Sequence, residues 1–162
     1  MNTNLKFSEK GYAVLKSCEG CELKPYLCQS GIPTIGWGST RYSNGVRVSL
    51  KDPAITQSKA DELLKYDVRQ FEKDVIYLLG PVEVNQGKFD ALVDFAYNVG
   101  SDIDIDSTPE GLGDSRLLKL VLANSNDPNI EHEFNKWINS KGKPSNGLIK
   151  RRKLDVKLYF GR

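Results

Sequence analysis

A single histidine, a single methionine and no stretch approaching the ~18 apolar residues that cross a bilayer bound what this 162-residue chain can be. With one imidazole, His132, set between Glu131 and Glu133 on an expected helix, a zinc site is excluded; no metal and no cofactor is expected, and the ring is read as exposed. The first residues carry Lys6, Glu9, Lys10 and Lys16 and lack the apolar centre of a signal peptide, so the reading is a chain made in the cytosol without stable membrane insertion. There is no internal repeat and no low-complexity tract. Neither a basic strand interleaved with aromatics nor a recognition-helix pattern is present, which sets nucleic acid aside as a partner. Cysteine is scarce too: Cys18, Cys21 and Cys28 are an odd number within eleven residues, so at least one thiol stays free unless chains cross-link. For a cytosolically made protein the default is three reduced thiols.

Hydrophobic residues make up 39% and charged residues 27%, enough apolar surface for one globular domain and too much for a disordered chain. The net charge is only +2, yet Lys136–Arg162 holds nine Lys or Arg against one acid, Asp155, a local +8 that leaves −6 for the remainder. A basic end of that kind suits an anionic polymer such as cell wall, or is a solvated helix surface.

Ser8 reads as the N-cap of a short helix on which Tyr12, Leu15 and Cys18 recur at helical spacing, so Glu19 falls at its C-terminal end. Tyr26-Leu27-Cys28, a turn at Gln29-Ser30-Gly31, and Thr34-Ile35-Gly36-Trp37-Gly38 read as a hairpin. Asn44-Gly45 between Arg41-Tyr42 and Val46-Arg47-Val48 predicts a type I′ hairpin, giving an α+β class with a small three-stranded antiparallel sheet. Thr56 can cap a long helix on which Ala60, Leu63, Leu64, Val68, Phe71, Val75 and Leu78 stay on one face until Gly80-Pro81. These signals predict one domain of two lobes: an α/β lobe over about 12–56, a linking helix over about 57–79, and a mainly helical lobe over about 80–162. Helices in the last are expected near 86–98, 115–124, 129–139 and 147–159. Between them, Ser101 to Asp114 holds five acids and no base. Asp102, Asp104 and Asp106 alternate like the opening of a calcium loop, but Ser107 and Gly113 stand where glycine and glutamate are needed, so the segment is read as an exposed insertion.

Glu19, eight residues, Cys28, five residues and Thr34, with Gly36 and Gly38 bracketing Trp37, bring three polar side chains to one cleft. This spacing closely resembles the catalytic signature of the phage-type lysozymes, glycoside hydrolase family 24, which is Glu, eight residues, Asp or Cys, five residues, Thr. Ala91 to Gly100 resembles that family's central-helix motif. Gly147-Leu148-Ile149-Lys150-Arg151-Arg152 resembles its C-terminal Gly-Leu-x-x-Arg-Arg motif, with Asp155 where Glu is more usual. The resemblance covers most of the chain apart from the 101–114 insertion. It implies a lysozyme-like fold and an endolysin: an N-acetylmuramidase cutting the β-1,4 bond between N-acetylmuramic acid and N-acetylglucosamine in peptidoglycan, by inversion and without cofactor. It further implies a monomer made in the host cytoplasm that acts in the periplasm after release through the inner membrane.

Such a reaction needs a proton for the departing oxygen and a water for the anomeric carbon. Glu19, at a helix end facing a glycine-rich sheet, is the expected donor in preference to Glu22, which is read as a surface charge. In the resembling family the second position is usually Asp, which helps activate a water that the Thr hydroxyl orients. Here Cys28 either has a depressed pKa or mainly positions the water, with Thr34 orienting it. Substrate contacts are expected from Trp37, which stacks on sugars or fills the core, and from Asn98, a C-cap or a sugar hydrogen-bonder. Arg151 is the third, and it or Arg152 pairs with an acid near Glu19 or forms a surface ion pair; Trp137 is read as core. The resemblance also implies a regulatory disulfide. Membrane-released endolysins with the Cys21 and Cys28 pattern are held inactive by a bond there until another cysteine displaces it, and Cys18 is then the candidate resolving thiol. Two other functions stay open: a lytic transglycosylase, which needs no activated water, and a glycan-binding module silenced by Cys in place of Asp.

Overall fold

Caps and breaking residues divide the chain into α1 (Glu9–Cys18), β1 (Glu22–Leu27), β2 (Pro33–Gly36), α2 (Gln57–Leu79), α3 (Gln86–Val99), α4 (Arg116–Ala123), α5 (Asn129–Asn135), β3 (Asn139–Ser140), β4 (Lys143–Pro144) and α6 (Asn146–Phe160), after a 3₁₀ turn at Asn2–Asn4. The computed structural model describes residues 2–28, 30–104 and 110–162; Gln29 of the expected turn, and Asp106 and Ser107 of the acidic loop, lie outside them. The class is α+β. Two compact units are present, Glu19–Gln70 and Met1–Cys18 with Phe71–Arg162, and the division falls inside α2.

In the 19–70 unit, β1 and β2 pair antiparallel with Tyr26 opposite Thr34 and Glu22 opposite Gly36. From Glu22 to Tyr26 the first strand advances four residues while the second advances two, so β1 bulges around Pro25, which has no N–H to give to a ladder. Ile35, Val48 and Leu63 form the core, with Tyr42 and Ile55 packed against it. Thr56 caps α2, its Oγ1 accepting from Lys59 N at 3.1 Å.

The third strand expected beyond Asn44-Gly45 is reduced to single bridges, Ile35 to Ser39 and Arg41 to Arg47. Gly36 and Gly38 take φ of 64° and 112° and turn the chain out of the ladder. Only Val48 is buried between 41 and 48, so no apolar face extends the sheet. The Asn44-Gly45 turn is not type I′ either, because Gly45 has φ of 83° while Asn44 stays out of the left-handed region. Tyr42 O accepts from Gly45 N at 2.9 Å and Tyr42 N donates to Val46 O at 2.9 Å, which makes a three-residue loop ending in a left-handed glycine. Asn44 Oδ1 accepts from Val46 N at 3.0 Å and holds that geometry.

Gly36 meets two demands at once: a left-handed backbone, and an added Cβ that would sit 3.3 Å from Ala60 Cβ on α2. Gly36→Ala is therefore expected to cost about 1–2 kcal/mol, read as a lowered thermal midpoint. An unchanged midpoint would show that β2 can end another way.

In the other unit α3 is buried from Lys88 to Ala96 and packs against α6, with α1 against both. Asn85 Oδ1 accepts from Lys88 N to cap α3, and Gly100, φ 103°, closes its other end; Asn98 is inside the helix and is not the cap. α5 stops at Asn135, short of the expected 139, because Asn139 and Ser140 pair with Pro144 and Lys143. Lys141 and Gly142, at φ 51° and 76°, make the two-residue turn that Asn44-Gly45 does not. Trp137, expected in the core, is half-buried just beyond α5, edge-on to Phe95 at 5.3 Å. In the acidic loop Asp102 Oδ2 accepts from Glu110, Gly111 and Asp114 N at 3.2, 3.1 and 3.4 Å, so this carboxylate ties the neck of the insertion.

Candidate active site

Glu19, Gly20 and Cys21 fill the short step between α1 and β1. Within the 19–70 unit Glu19 lines a cleft of about 340 Å³ together with Gly20, Glu22, Tyr26, Trp37 and Gly38. Glu22 is exposed yet borders the same cleft. Trp37 is half-buried, and its Nε1 donates to Asp61 Oδ1 at 2.8 Å. Gln57 Nε2 donates to the same oxygen at 3.1 Å and meets Cys21 Sγ at 3.6 Å. With its N–H committed to α2, the indole is held as a wall of the cleft.

Cys28 and Thr34 meet across the β1–β2 turn, which Cys28 closes by donating from N to Ile32 O at 3.1 Å and accepting from Gly31 N at 2.8 Å. The Cys28 thiol lies below its ordinary pKa. Backbone N–H groups of Ile32 and Ser30 aimed at the sulfur are the main cause and outweigh the opposing desolvation, and the Thr34 and Ser30 hydroxyls add to their effect. Thr34 is 2% exposed, and its hydroxyl donates to Ile32 O at 2.9 Å as well as reaching the Cys28 sulfur. One proton serves one of these at a time, and the oxygen keeps lone pairs for a water.

Sequence reasoning passes over Tyr26 and Asp61. Tyr26 borders the Glu19 cleft and sits opposite Thr34 in the ladder. Its hydroxyl is pushed above the usual range, by burial first and then by the negative charges of Cys28, Glu22 and Glu19. The available signal was the strand period of two, which puts residues 26 and 28 on one face. Nothing local marks Asp61, because its role rests on Trp37, 24 residues away in sequence.

All three cysteines are free. Cys21 precedes β1 and Cys28 follows it, so a strand rising ~3.3 Å per residue sets them roughly 20 Å apart, against the ~7 Å limit for a disulfide. A bond between them belongs to a conformation in which β1 has come apart. Cys18, in the other unit, has its thiol pushed up by burial, opposed by the Ser17 hydroxyl and by Arg151, which lowers its thiolate fraction and so its rate as an attacking thiol.

Arg151 is 3% exposed and grips Asp94 with two hydrogen bonds, Nε to Oδ2 at 2.9 Å and Nη2 to Oδ1 at 2.8 Å. Its burial corrects the expectation of a sugar-facing arginine: the guanidinium organises the α3–α6 interior. Arg152 Nη2 donates to Asn98 Oδ1 at 2.9 Å. Its Nε lies 3.0 Å from Asp155 Oδ2 without hydrogen-bond alignment, and the guanidinium covers the Phe95 ring at 4.8 Å. Asn98 also lines a separate cleft of about 360 Å³ with Lys136, Trp137, Asn139, Ser140 and Leu148. His132 is exposed. No helix of the described residues is long and apolar enough to cross a membrane.

Residues 16–155 match the model of the phage lysozyme family. The endolysin of Bacillus phage B103 is 38% identical over 96% of this chain, and the chain spans 54% of that relative's length. The endolysin of Acyrthosiphon pisum secondary endosymbiont phage 1 is 33% identical over 96% of this chain and 98% of its own. Among solved structures, the endolysin from Escherichia coli O157:H7 phage FAHEc1 superposes with a TM-score of 0.80 at 34% identity, covering 96% of this chain and 94% of that one.

Proposed function

The chain belongs to the phage lysozyme family, and we propose that it is an endolysin-type muramidase that hydrolyses the β-1,4 bond between N-acetylmuramic acid and N-acetylglucosamine in bacterial peptidoglycan, with inversion. The reading is carried by Glu19 in a cleft walled by Tyr26 and Trp37, with the cradled Cys28 sulfur beside Thr34 in the same unit. Glu19 gives its proton to the departing oxygen as the glycosidic C–O bond breaks. Water adds its oxygen to the anomeric carbon, oriented by Thr34 Oγ1, and passes its proton to the Cys28 sulfur. Trp37 and Tyr26 offer ring surface to the sugars in that cleft; Asn98, which lines its own cleft in the other unit, offers a side-chain amide to a sugar there, and Arg151 holds Asp94 in that unit's interior. Synthesis in the host cytoplasm, release through the inner membrane and action as a monomer on the periplasmic wall complete the proposal.

Digestion of purified sacculi in reducing buffer, with mass analysis of the fragments, tests it. Fragments ending in reducing N-acetylmuramic acid are expected; anhydro ends would make the enzyme a transglycosylase, and binding without fragments would make it a silent module.

The water role of Cys28 predicts that Cys28→Asp keeps activity while Cys28→Ala loses most of it. The thiol's folded pKa is lowered but still belongs to a sulfur, so its charged form is present above that pKa and lost as pH falls through it. A carboxylate at ~3.9 does not share this titration, so the ratio of native to Cys28→Asp activity should rise with pH. A flat ratio, or a fully active alanine variant, would leave Thr34 alone with the water. For the disulfide, peptide mapping after mild oxidation should find any Cys21–Cys28 product inactive until reduced; a fully active product would end the caging idea.

A further inference from the structure

The cleft of about 360 Å³ that Asn98 lines belongs wholly to the unit containing Phe71–Arg162 and shares no residue with the one around Glu19. Its volume falls in the ~300–1,000 Å³ range of ligand clefts. Val99, Trp137 and Leu148, each half-buried, give it apolar surface, and Asn98, Asn139 and Ser140 give it neutral polar groups. Among the described residues of this lining the one formal charge is Lys136, and its Nζ is held by Glu133 Oε1 at 2.7 Å. Such a surface suits a neutral polar group better than an anion. Chemistry also fixes which end of the Asn98 amide is available. Arg152, 0% exposed, reaches Asn98 with Nη2 at 2.9 Å, and a guanidinium can only donate, so the atom facing it has to be Oδ1. Nδ2, with two N–H groups, makes no hydrogen bond to a described residue and is left for the cleft. Arg152 is braced in its turn: Nε lies 3.0 Å from Asp155 Oδ2, and the guanidinium covers Phe95, which stands edge-on to Trp137 at 5.3 Å. One buried arginine thus backs both the donor and, through Phe95, the aromatic wall.

We propose that this cleft binds the acetamido group of an N-acetylated sugar, Asn98 Nδ2 donating to its carbonyl oxygen while its methyl lies against Trp137 and Leu148, with Arg152 as the positioning residue that keeps the amide from turning over. An acetamido group is neutral, carries one strong acceptor and ends in a methyl, and this lining offers a neutral surface, a donor and apolar walls to match. An asparagine free to turn could present either a donor or an acceptor. The locked one presents N–H, so it favours an acetyl carbonyl over an ammonium at the same place on the sugar. That the sugar belongs to peptidoglycan rests on the muramidase reading; the fixed donor and its neutral surroundings do not.

Calorimetric titration of the full chain with the N-acetylated chitin tetrasaccharide tests the site, in the Glu19→Gln background so that the ligand is not cut. Asn98→Asp keeps the size of the side chain and an acceptor for Arg152, so the thermal midpoint should not fall, but it replaces the donor with an acceptor. Binding should weaken about tenfold, and the gap should close or reverse on the de-N-acetylated tetrasaccharide, whose ammonium groups bring donors where the acetyl carbonyls stood. Contacts that the oligosaccharide makes elsewhere on the chain are the same in both proteins and cancel in the comparison. Arg152→Met, which lets the amide turn over, should lose the same preference for the acetylated ligand; where that variant folds poorly, the Asn98→Asp comparison decides alone. Equal binding of the acetylated ligand with and without Asn98→Asp, or a gap of the same size on both ligands, overturns the proposal. Failure of the native protein to cleave sacculi would instead overturn the muramidase reading and leave the binding comparison standing.

Discussion

Glu19→Gln should lower the rate of sacculus hydrolysis by about 10²–10⁴-fold, the usual worth of a general acid, while the protein stays folded. Glutamine keeps the size and hydrogen-bonding shape of the side chain in the cleft with Tyr26 and Trp37 but has no proton to release at the departing oxygen. An independent signature accompanies the loss. Glu19 is one of the negative charges that hold the Tyr26 hydroxyl up, so its removal should move the Tyr26 ultraviolet titration to lower pH. Glu22 borders the same cleft and also acts on Tyr26, so Glu22→Gln should shift that titration too, yet leave lysis largely intact. Near-native lysis by a folded Glu19→Gln protein, with Glu22→Gln inactive, would transfer the donor role to Glu22.

The second large effect is on stability. Asp94 is 0% exposed and its two oxygens are gripped by Arg151, itself 3% exposed. Arg151→Met leaves a buried carboxylate without its partner, and breaking a buried pair from one side costs about 3–5 kcal/mol. At about 2–4 °C per kcal/mol for a chain of this size, the thermal midpoint should fall by roughly 6–20 °C. The neighbourhood makes relief difficult. Asp155 is already pushed well above the usual carboxylate range, by burial first and then by the charge of Asp94, against the pull of Arg152. Replacing both partners, Asp94→Leu with Arg151→Met, should recover much of the loss, because no lone charge is then buried. Calorimetry on the two single variants and the double variant checks this; additive losses in the double would mean that the pair was not coupled.

Much of the architecture could be read in advance where the signal was local. Thr56 before an apolar stripe of helical period marks the start of α2 and Gly80 its end. α3 and α6 fall where helices were expected, near 86–98 and 147–159, while their caps, Asn85 and Ser145, come from the structure. The misread segments are those where a side chain or a neighbouring strand outweighed the local rule. The side-chain amide oxygen of Asn44 accepted from Val46 N and made a three-residue loop, and β3–β4 pairing cut α5 short.

Glu19, Cys28 and Thr34 stand in the amino-acid order itself, since a spacing of eight and five residues is a property of sequence, and so is the helix end that precedes the first of them. What the order cannot hold is who pairs with whom. Whether Cys28 is an ordinary thiol or one with a favoured charge depends on the backbone N–H groups of Ser30 and Ile32 being bent toward its sulfur. Whether Trp37 is a core residue or a cleft wall depends on Asp61, 24 positions on, and whether Arg151 faces a sugar or the interior depends on Asp94, 57 positions back. Electrostatic and hydrogen-bond energies act through distances of a few ångströms, and those distances exist only once the chain has folded.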